Sequence, residues 1–412
     1  MATYPCDCCH KPRSDNFNHR ERYWERCYKD TKIAQQALHG IFSILKNWSR
    51  GTDNDGLTLE IGLHSPSDFH YRFQHYGIDS SFTQAPEHSS IGYQVPSKNP
   101  MSGCVSCCRT AIPSLWSDMM LYGLVFMEES FPTVDVVHRL LVRRQTRRIL
   151  SVTLWENMVK ALTNLECLHQ ELWRVRVNIN HLQYRSVVSR VLSALCNSSE
   201  LKKLVAFGEI KPSLAPGPYE ALSEELKSEE LIHRLAMSTC KLEQLCLSYV
   251  VDAFKFLIIA EGQPALHWLK LETLALTSPS FHIGNEAGII QMLETAAKLA
   301  RKMPELRTLE LWNAEKSHAF AFTCRITPSA VEILYRATWE FKLAGSVEKL
   351  WEDFAQERNQ GHKVSVQRGQ LINASEWKSH GDAMHALNLT ADVVHPSRVV
   401  DANPSRGNHF CS

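Results

Sequence analysis

Two cysteine clusters are the residues whose types and spacing best suit chemistry. They are Cys6, Cys8, Cys9 and His10 in "CDCCH", and Cys104, Cys107 and Cys108 in "CVSCC". The pairs Cys6/Cys9 and Cys104/Cys107 have the C-x-x-C spacing that tetrahedral zinc sites use. However, the two pairs are far apart in the chain, and the second lies in a stretch without hydrophobic periodicity. A zinc-dependent protein is therefore kept as an alternative, and no metal-binding residue is assigned.

A basic cluster, "LVRRQTRR", carries Arg143, Arg144, Arg147 and Arg148. Clusters of this kind can bind phosphate or nucleic acid. Here no aromatic side chains are interleaved with the arginines, as a stacking platform for bases would require. We interpret the cluster as a solvated stretch that leads into the next helix, and we expect no nucleic-acid partner.

Sequence motifs of common enzyme classes are absent from the chain. It has no G-x-S-x-G, no H-E-x-x-H, no P-loop and no G-x-G-x-x-G pattern. We therefore assign no catalytic and no cofactor-binding residue, and we expect that the protein is not an enzyme. An enzyme whose site the sequence hides stays the alternative.

Composition and charge limit the class of protein further. The 412 residues are 44% hydrophobic, and 45 Lys and Arg balance 44 Asp and Glu, so no net field favours nucleic acid or an anionic membrane. The N-terminal residues lack the apolar core of a signal peptide. The longest apolar run, 249–260, is interrupted by Asp252 and Lys255 and is far shorter than the ~20 residues of a membrane span. We expect a cytoplasmic or nuclear protein without a membrane partner.

A leucine pattern recurs along the chain. In "RKMPELRTLELWN", Leu306, Leu309 and Leu311 read L-x-x-L-x-L after a predicted amphipathic helix that ends at Pro304. The same spacing occurs at Leu242, Leu245 and Leu247 and at Leu271, Leu274 and Leu276. Weaker examples are Leu165/Leu168, the set Leu201, Leu204 and Phe207, and Leu387/Leu389. The steps between these motifs are unequal and reach or exceed the ~20 to 29 residues of a regular leucine-rich repeat. The array is therefore irregular.

Helical patterns lie between the leucine motifs, as in "SVTLWENMVKALTN" and "EAGIIQMLETAAKLARK". Helices that alternate with similar strands predict a parallel sheet faced by helices. We predict an α/β fold, an irregular leucine-rich-repeat-like solenoid in which parallel strands alternate with helices. Asn313 follows Leu311 where a leucine-rich repeat uses Asn to bond backbone groups as the chain turns off the strand. An ordinary α/β domain with leucine-rich strands is the alternative.

The same patterns divide the chain into segments. We expect a Cys-containing segment at 1–30, the repeat-like domain at 31–400, a poorly ordered insertion in that domain at about 78–112, and a tail at 401–412. A second stretch with poor patterning, "QERNQGHKVSVQRGQ", follows a predicted helix that begins near Ser346.

Several segments resemble a known family in the same order along the chain. They are "FSILKNW", "GLTLEIGLHSPSD", "RRQTRRIL", "LECLHQELWR", "LETLALTS", "AAKLARKMPELRTLELWN" and "SHGDAMHALNL". The sequence from roughly Ile41 to Val400 resembles an uncharacterised family of filamentous-fungal proteins that carry an N-terminal F-box ahead of a leucine-rich-repeat-like region.

The resemblance implies a substrate receptor of a cullin-RING ubiquitin ligase. In such receptors the F-box holds the ligase adaptor, the repeat surface holds the target, and the receptor itself performs no catalysis. The start of this sequence, "MATYPCDCCHKPRSDN", does not resemble an F-box. We therefore expect that the adaptor-binding half is missing, which makes the adaptor a doubtful partner. A target-binding half, a truncated paralogue or a shortened gene model would each account for this.

The residues that face away from the helices are the candidates for binding a protein partner. Alternation along the predicted strands selects Trp173, Ser248, Thr273, Thr277, Thr308, Glu310 and Trp312. Large aromatic side chains with polar neighbours often form the centre of protein interfaces. Two interpretations stay open: the face is a free binding surface, or an insertion or the C-terminal segment covers it and makes it core.

The sequence thus predicts a non-catalytic protein-interaction module derived from an F-box-type receptor. No cofactor is expected, and the identity of the protein partner is not specified by any motif. The alternative is an enzymatic or zinc-dependent protein, for example an accessory protein of a fungal metabolic gene cluster.

Overall fold

The computed structural model describes most of the repeat-like region. The described residues are 32–48, 56–62, 130–143, 150, 152–174, 182–210, 229–315, 318–358, 363–375, 377 and 380–389. The cysteine pairs, Arg144, Arg147 and Arg148, and the segments 1–30, 78–112 and 401–412 lie outside them. The expectations about those segments therefore remain predictions.

Ten strands form one sheet whose spatial order follows the chain. They are β1 (Leu57–Ile61), β2 (Val137–Val142), β3 (Cys167–Arg174), β4 (Lys203–Ile210), β5 (Gln244–Asp252), β6 (Thr273–Thr277), β7 (Thr308–Ala314), β8 (Ala319–Ile326), β9 (Ala330–Ala337) and β10 (Lys363–Arg368). Neighbouring strands from β1 to β7 are parallel, β8 is antiparallel to both of its neighbours, and β10 is parallel to β9. The predicted α/β class with a mostly parallel sheet is confirmed.

Helices connect most of the parallel strands. They are α1 (32–45), α2 (Val152–Ala161), α3 (Leu182–Asn197), α4 (Glu229–Ser238), α5 (Ala253–Glu261), α6 (Glu286–Ala300), α7 (Gly345–Arg358) and α8 (His380–Leu387). The helices from α2 to α7 pack side by side in chain order, and their buried residues join the leucines of the strands in one large core. The helix α8 belongs to a second, smaller core on the opposite face of the sheet.

The leucine motifs align across five strands, from β3 to β7. The middle residue of each motif pairs with the next in register, giving the row Leu168, Leu204, Leu245, Leu274 and Leu309. The first residue of each motif is equally buried, giving the row Leu165, Leu201, Leu242, Leu271 and Leu306. Both rows lie in the large core, so each strand contributes side chains to the same two layers of it.

Polar groups of one strand–helix unit bond to the next unit. Lys302 donates through Nζ to the carbonyl oxygens of Ala260, Glu261 and Gln263 at the C-terminal end of α5, at 2.7 to 3.1 Å. Lys241 makes the same kind of contact with Leu195 and Ser198 at the end of α3. The last carbonyls of a helix have no partner within the helix, and a lysine there also interacts favourably with the helix dipole. The lysines therefore hold adjacent helices at a fixed spacing.

Three buried side chains, two indoles and a guanidinium, also donate hydrogen bonds inside the core. The indole of Trp268 donates to the hydroxyl of Thr239 at 3.1 Å, and the indole of Trp155 donates to the carbonyl of Arg190 at 3.1 Å. The Arg190 guanidinium itself donates to the carbonyl of Leu150, and burial lowers its pKa to about 10. These bonds connect residues far apart in sequence and satisfy polar groups inside the core.

The strands after β7 differ from the prediction. Instead of turning off the sheet at Asn313, the chain continues to Ala314 and returns as β8, so Asn313 pairs with Phe320. The Asn313 side chain donates to the Glu315 carboxylate at 3.2 Å rather than to a described backbone group. Alternating apolar residues in β8 and β9 explain the hairpin, because Phe320, Phe322 and Ile333 all enter the large core.

Two further features of the structure were not indicated by the sequence. The poorly patterned stretch after α7 contains β10, whose Val364 and Val366 pack against the large core from the edge of the sheet. Trp48, which lies among apolar residues in the sequence, is 53% exposed. It shares an exposed stripe of α1 and the turn that follows it with Ile33, Ile41 and Ile44, whereas Leu38 and Phe42 occupy the buried side.

We predict that the lysine contact between α5 and α6 contributes measurably to stability. Replacing Lys302 by Met keeps the aliphatic stem but leaves three carbonyls without their charged donor, which should lower the free energy of unfolding by about 1–2 kcal/mol. Urea denaturation of the purified protein measures the change. The control Lys298→Met alters an exposed lysine one turn earlier and should change stability by less than about 0.5 kcal/mol.

Candidate protein-binding face

The face of the sheet opposite the helices α2 to α7 carries the residues between the leucines. Because side chains alternate along a strand, Glu310 points away from the large core that Leu309 and Leu311 enter. Thr308 pairs with Thr273, and Trp312 pairs with Thr277, so these residues lie in rows across neighbouring strands. The structure therefore brings Ser248, Thr273, Thr277, Thr308, Glu310 and Trp312 to one face, as the alternation predicts.

The first row of this face, near the strand starts, is partly open to solvent. The register places Arg139, Cys167, Lys203, Gln244, Thr273, Thr308 and Arg325 side by side from β2 to β8. Lys203 and Arg325 are exposed, and the two threonines are half-buried. We call this set the polar row. Thr273 and Thr308 are the two predicted binding residues that lie within it.

The deeper residues of the same face are buried. Ser248, Thr277, Glu310 and Trp312 have no more than 2% of their surface exposed. Trp312 packs in the second core with Val205, Cys246 and Ala275. This core is separate from the large core, which we also call the leucine core because the leucines of the strands lie in it. The sequence left two interpretations open, a free binding surface or a covered core. In the structure these four residues are core.

The C-terminal segment, which we define as residues 369–389, covers this part of the face. After β10 its backbone bonds to the end of β9, with Gly369 donating to Tyr335 and Ile372 donating to Ala337, both at 2.9 Å. The helix α8 then lies against β7 and β8. Its buried residues Ala383, Met384 and Leu387 complete the second core, and Ile372, Trp377 and Leu389 pack against its margin.

Aromatic side chains form the centre of the covered area. The ring of Tyr249 makes edge-on contacts with Phe207 and Trp312, with centroids 5.4 and 5.3 Å apart. The hydroxyl of Tyr249 donates to the carbonyl of Ala314 and accepts from its amide. The sequence analysis grouped Phe207 with Leu201 and Leu204, whereas the structure places Phe207 on the opposite face. The reason is that side chains alternate along a strand and Phe207 follows Leu204 by three residues. The sequence analysis missed Tyr249 altogether.

The conformation of Tyr249 explains that failure. Its φ of 56° lies in the left-handed region, which non-glycine residues rarely adopt, and the register of β5 against β6 shifts between Leu247 and Asp252. The amide of Tyr249 donates to the hydroxyl of Thr277 at 2.6 Å, and this bond holds the irregular backbone in place. Thr277 therefore has a structural role beside Tyr249.

A buried acid follows this irregular segment. Asp252 is 3% exposed, accepts from the hydroxyl of Ser278 at 2.6 Å, and accepts from the amide of Phe254 at 3.1 Å as the N-cap of α5. The side chain thus satisfies a free amide at the start of the helix. This arrangement accounts for the Asp that interrupts the longest apolar run of the sequence.

Two polar atoms on the covered face have no hydrogen-bond partner among the described residues. They are the Ser248 hydroxyl oxygen and the Trp312 indole nitrogen Nε1. Burying such a group without a partner costs about 1–3 kcal/mol. The C-terminal segment therefore supplies apolar contacts to this face but leaves part of its hydrogen-bonding capacity unused.

Towards the first strands, the same face carries a contact between a histidine and a glutamate. His169 and Glu171 in β3 are in contact, with 3.2 Å between His169 Nε2 and Glu171 Oε1, and the Glu171 side chain is almost fully buried. Trp173 follows on the same strand and pairs in register with Glu209, but its side chain lies outside the described residues.

Metal-binding geometry is not found in the described part of the chain, where no three His, Cys, Asp or Glu side chains are grouped to hold an ion. Among the described cysteines, Cys246 and Cys324 are buried, Cys167 and Cys240 are half-buried, and Cys196 is exposed. No helix among the described residues is both long and apolar enough to cross a membrane.

Comparison with known proteins gives one match. Residues 196–395 match a protein family described as a family of unknown function (DUF6546). This region begins at the end of α3 and includes β4 to β10 and α8, so it spans the polar row from Lys203 to Arg325 and the covered face. No curated protein and no solved structure matches the chain.

We predict that Trp312 tolerates Phe but not Ala. Trp312→Phe removes an indole N–H that has no partner among the described residues and keeps a ring against Tyr249, so the free energy of unfolding should change by less than about 1.5 kcal/mol. Trp312→Ala leaves a cavity beneath α8 and should cost about 3–5 kcal/mol. Urea denaturation of both variants measures the difference, and equal losses would contradict the assignment of an unpaired indole.

Proposed function

We propose that the protein is a non-catalytic protein-interaction module built as an irregular leucine-rich-repeat-like solenoid, derived from an F-box-type substrate receptor. The observation that carries the proposal is the polar row. Successive strands place unlike side chains in register along one edge of a face that the helices α2 to α7 do not cover.

The arrangement of units supports the solenoid part of the proposal. Each strand from β3 to β7 places leucines in the same two layers, and adjacent helices are joined by lysine-to-carbonyl contacts. In solenoid proteins each unit contacts mainly its neighbours, and the helix-free face of the sheet is an extended surface for partners. Strand order that follows the chain is the topology that such stacking gives.

The chemistry of the polar row suits a protein partner with hydrogen-bond acceptors. Arg139, Lys203 and Arg325 carry positive charge, and the hydroxyls of Thr273 and Thr308 lie between the last two of them. Arg325 pairs in the sheet with Glu332 of β9. Acidic side chains or exposed carbonyls of a target would match this set.

The family resemblance supplies the biological context for the proposal. A target-binding region of this type would bring its target to a ubiquitin ligase through an adaptor, without performing a reaction. The sequence from roughly Ile41 to Val400 carries the resemblance. An affinity purification of the tagged protein from its native cells, probed for the ligase adaptor and cullin, tests this part separately from target binding.

We predict that a partner contacts the polar row. A photo-crosslinking amino acid placed at Thr273 or Thr308 should yield a defined crosslinked product in native extract, identified by mass spectrometry, because both positions are half-buried at the edge of the face. The matched control is the same amino acid at Gln291, which is exposed on α6. Crosslinks to one and the same protein from Gln291 but from neither threonine would place the binding surface on the helices.

A further inference from the structure

We propose that the C-terminal segment is an intrachain cover of the binding face and that a short amphipathic helix of a partner protein takes its place. The inference rests on the proposed function, since it names the kind of partner that the face accepts. It extends the interaction surface from the polar row to the buried cluster of Phe207, Tyr249 and Trp312.

The contacts of α8 define what the face accepts. Ala383 and Met384 are adjacent, and Leu387 lies one turn later, so one side of a two-turn helix supplies all three buried residues. Beneath them lie small side chains, Ala275 and Ala321, beside the large ring of Trp312. A small residue followed by aliphatic residues one and four positions later therefore fits this surface. The separations of Leu387 from Met384 and from Ala383, three and four residues, are among those that helix-in-groove recognition uses.

The cover is joined to the sheet by few polar contacts. Among the described residues, the backbone of the C-terminal segment bonds to the sheet at Gly369 and Ile372, before α8 begins. The other described backbone bonds of the segment outside α8 are internal, from Trp377 to Ala374 and from Asn388 to His385. The helix is thus held against β7 and β8 by a small set of apolar side chains.

The unpaired indole of Trp312 specifies what a different occupant would add. Its Nε1 is a donor without a partner among the described residues, and it lies on β7, against which α8 packs. Unpaired indoles also occur in the large core, at Trp339 and Trp351, but Trp312 lies under the last described helix. A helix that presents the same apolar residues and also a side-chain carbonyl or carboxylate near Trp312 would gain this bond. The partner is therefore an amphipathic helix with an acceptor beside its apolar residues, and α8 is its weaker intrachain competitor.

Two buried cysteines allow opening of the cover to be measured in the full-length protein. Cys246 belongs to the second core, which α8 completes, whereas Cys324 lies in the leucine core, where burial raises the pKa of its thiol. Both are fully buried. A thiol reagent, with site-resolved mass spectrometry, therefore reports opening of the cover at Cys246 and unfolding of the main core at Cys324. We expect Cys246 to react faster than Cys324 in the native protein.

Truncation of the α8 contacts should widen this difference. In Met384→Ala and Leu387→Ala, labelling of Cys246 should accelerate by about 30-fold, because large buried side chains are removed, while labelling of Cys324 stays unchanged. Leu371→Ala and Met237→Ala are the matched controls, since both residues are about half exposed. If Cys246 and Cys324 react at equal rates in the native protein and both variants, the segment opens only with the whole fold and the cover is refuted.

A peptide added in trans tests the kind of partner. A fluorescent peptide of residues 377–389 should bind the full-length Met384→Ala/Leu387→Ala variant in an anisotropy titration and bind the native protein at least about 10-fold more weakly, because the native cover competes. The control peptide carries Met384→Asp and Leu387→Asp. Absence of peptide binding to the Met384→Ala/Leu387→Ala variant would overturn the helix-accepting face. Absence of crosslinks from the polar row would overturn the proposed function instead, whether or not the peptide binds.

Discussion

The in-register leucine ladder is the constraint on which the rest of the structure depends. Successive strands enter the sheet with Leu168, Leu204, Leu245, Leu274 and Leu309 side by side. A slip of one residue in any strand would turn its leucines to the opposite face and its polar residues into the helix-covered core. Register therefore fixes both surfaces at once. The residues that face away from the helices are placed by the leucines, and not by contacts of their own.

The architecture changes after β7, where the leucine motif ends. There β8 and β9 add an antiparallel hairpin before the last helix–strand unit, α7 and β10. The hairpin places Phe320 against Phe281, with ring centroids 4.6 Å apart, and Phe322 near Trp351 of α7. Aromatic residues on three separate segments thus continue the leucine core past β7.

The parallel part of the sheet could be predicted from the sequence because its signal is local. The spacing of Leu306, Leu309 and Leu311, preceded by a helix and Pro304, is enough to place one strand and its buried face. The prediction missed the hairpin, although Phe320, Phe322 and Cys324 alternate with less apolar residues in the sequence. It assumed that helices and strands continue to alternate after β7. The shift at Tyr249 had no local signal, since a left-handed tyrosine is held by the distant Thr277 and Ala314.

The fate of the predicted binding residues shows what alternation cannot decide. Period two assigns Thr308, Glu310 and Trp312 to the same face, but burial of that face depends on α8, which arrives from the end of the domain. The sequence indicates each of the two contacting elements separately, by a Trp in the strand and by the spacing of Ala383, Met384 and Leu387 in the helix. It carries no signal that joins them, because no local pattern encodes a contact between segments so far apart.

Buried polar atoms without a hydrogen-bond partner lie on both faces of the sheet in the described structure. On the covered face they are the Ser248 hydroxyl oxygen and the Trp312 indole nitrogen. On the helix side, the Gln170 amide pairs in register with Ala206 of the leucine core, and the indoles of Trp339 and Trp351 belong to that core. Each such group costs about 1–3 kcal/mol. Unbonded polar atoms therefore do not distinguish the two faces. What sets the covered face apart is that a single short helix, α8, supplies three of its buried residues.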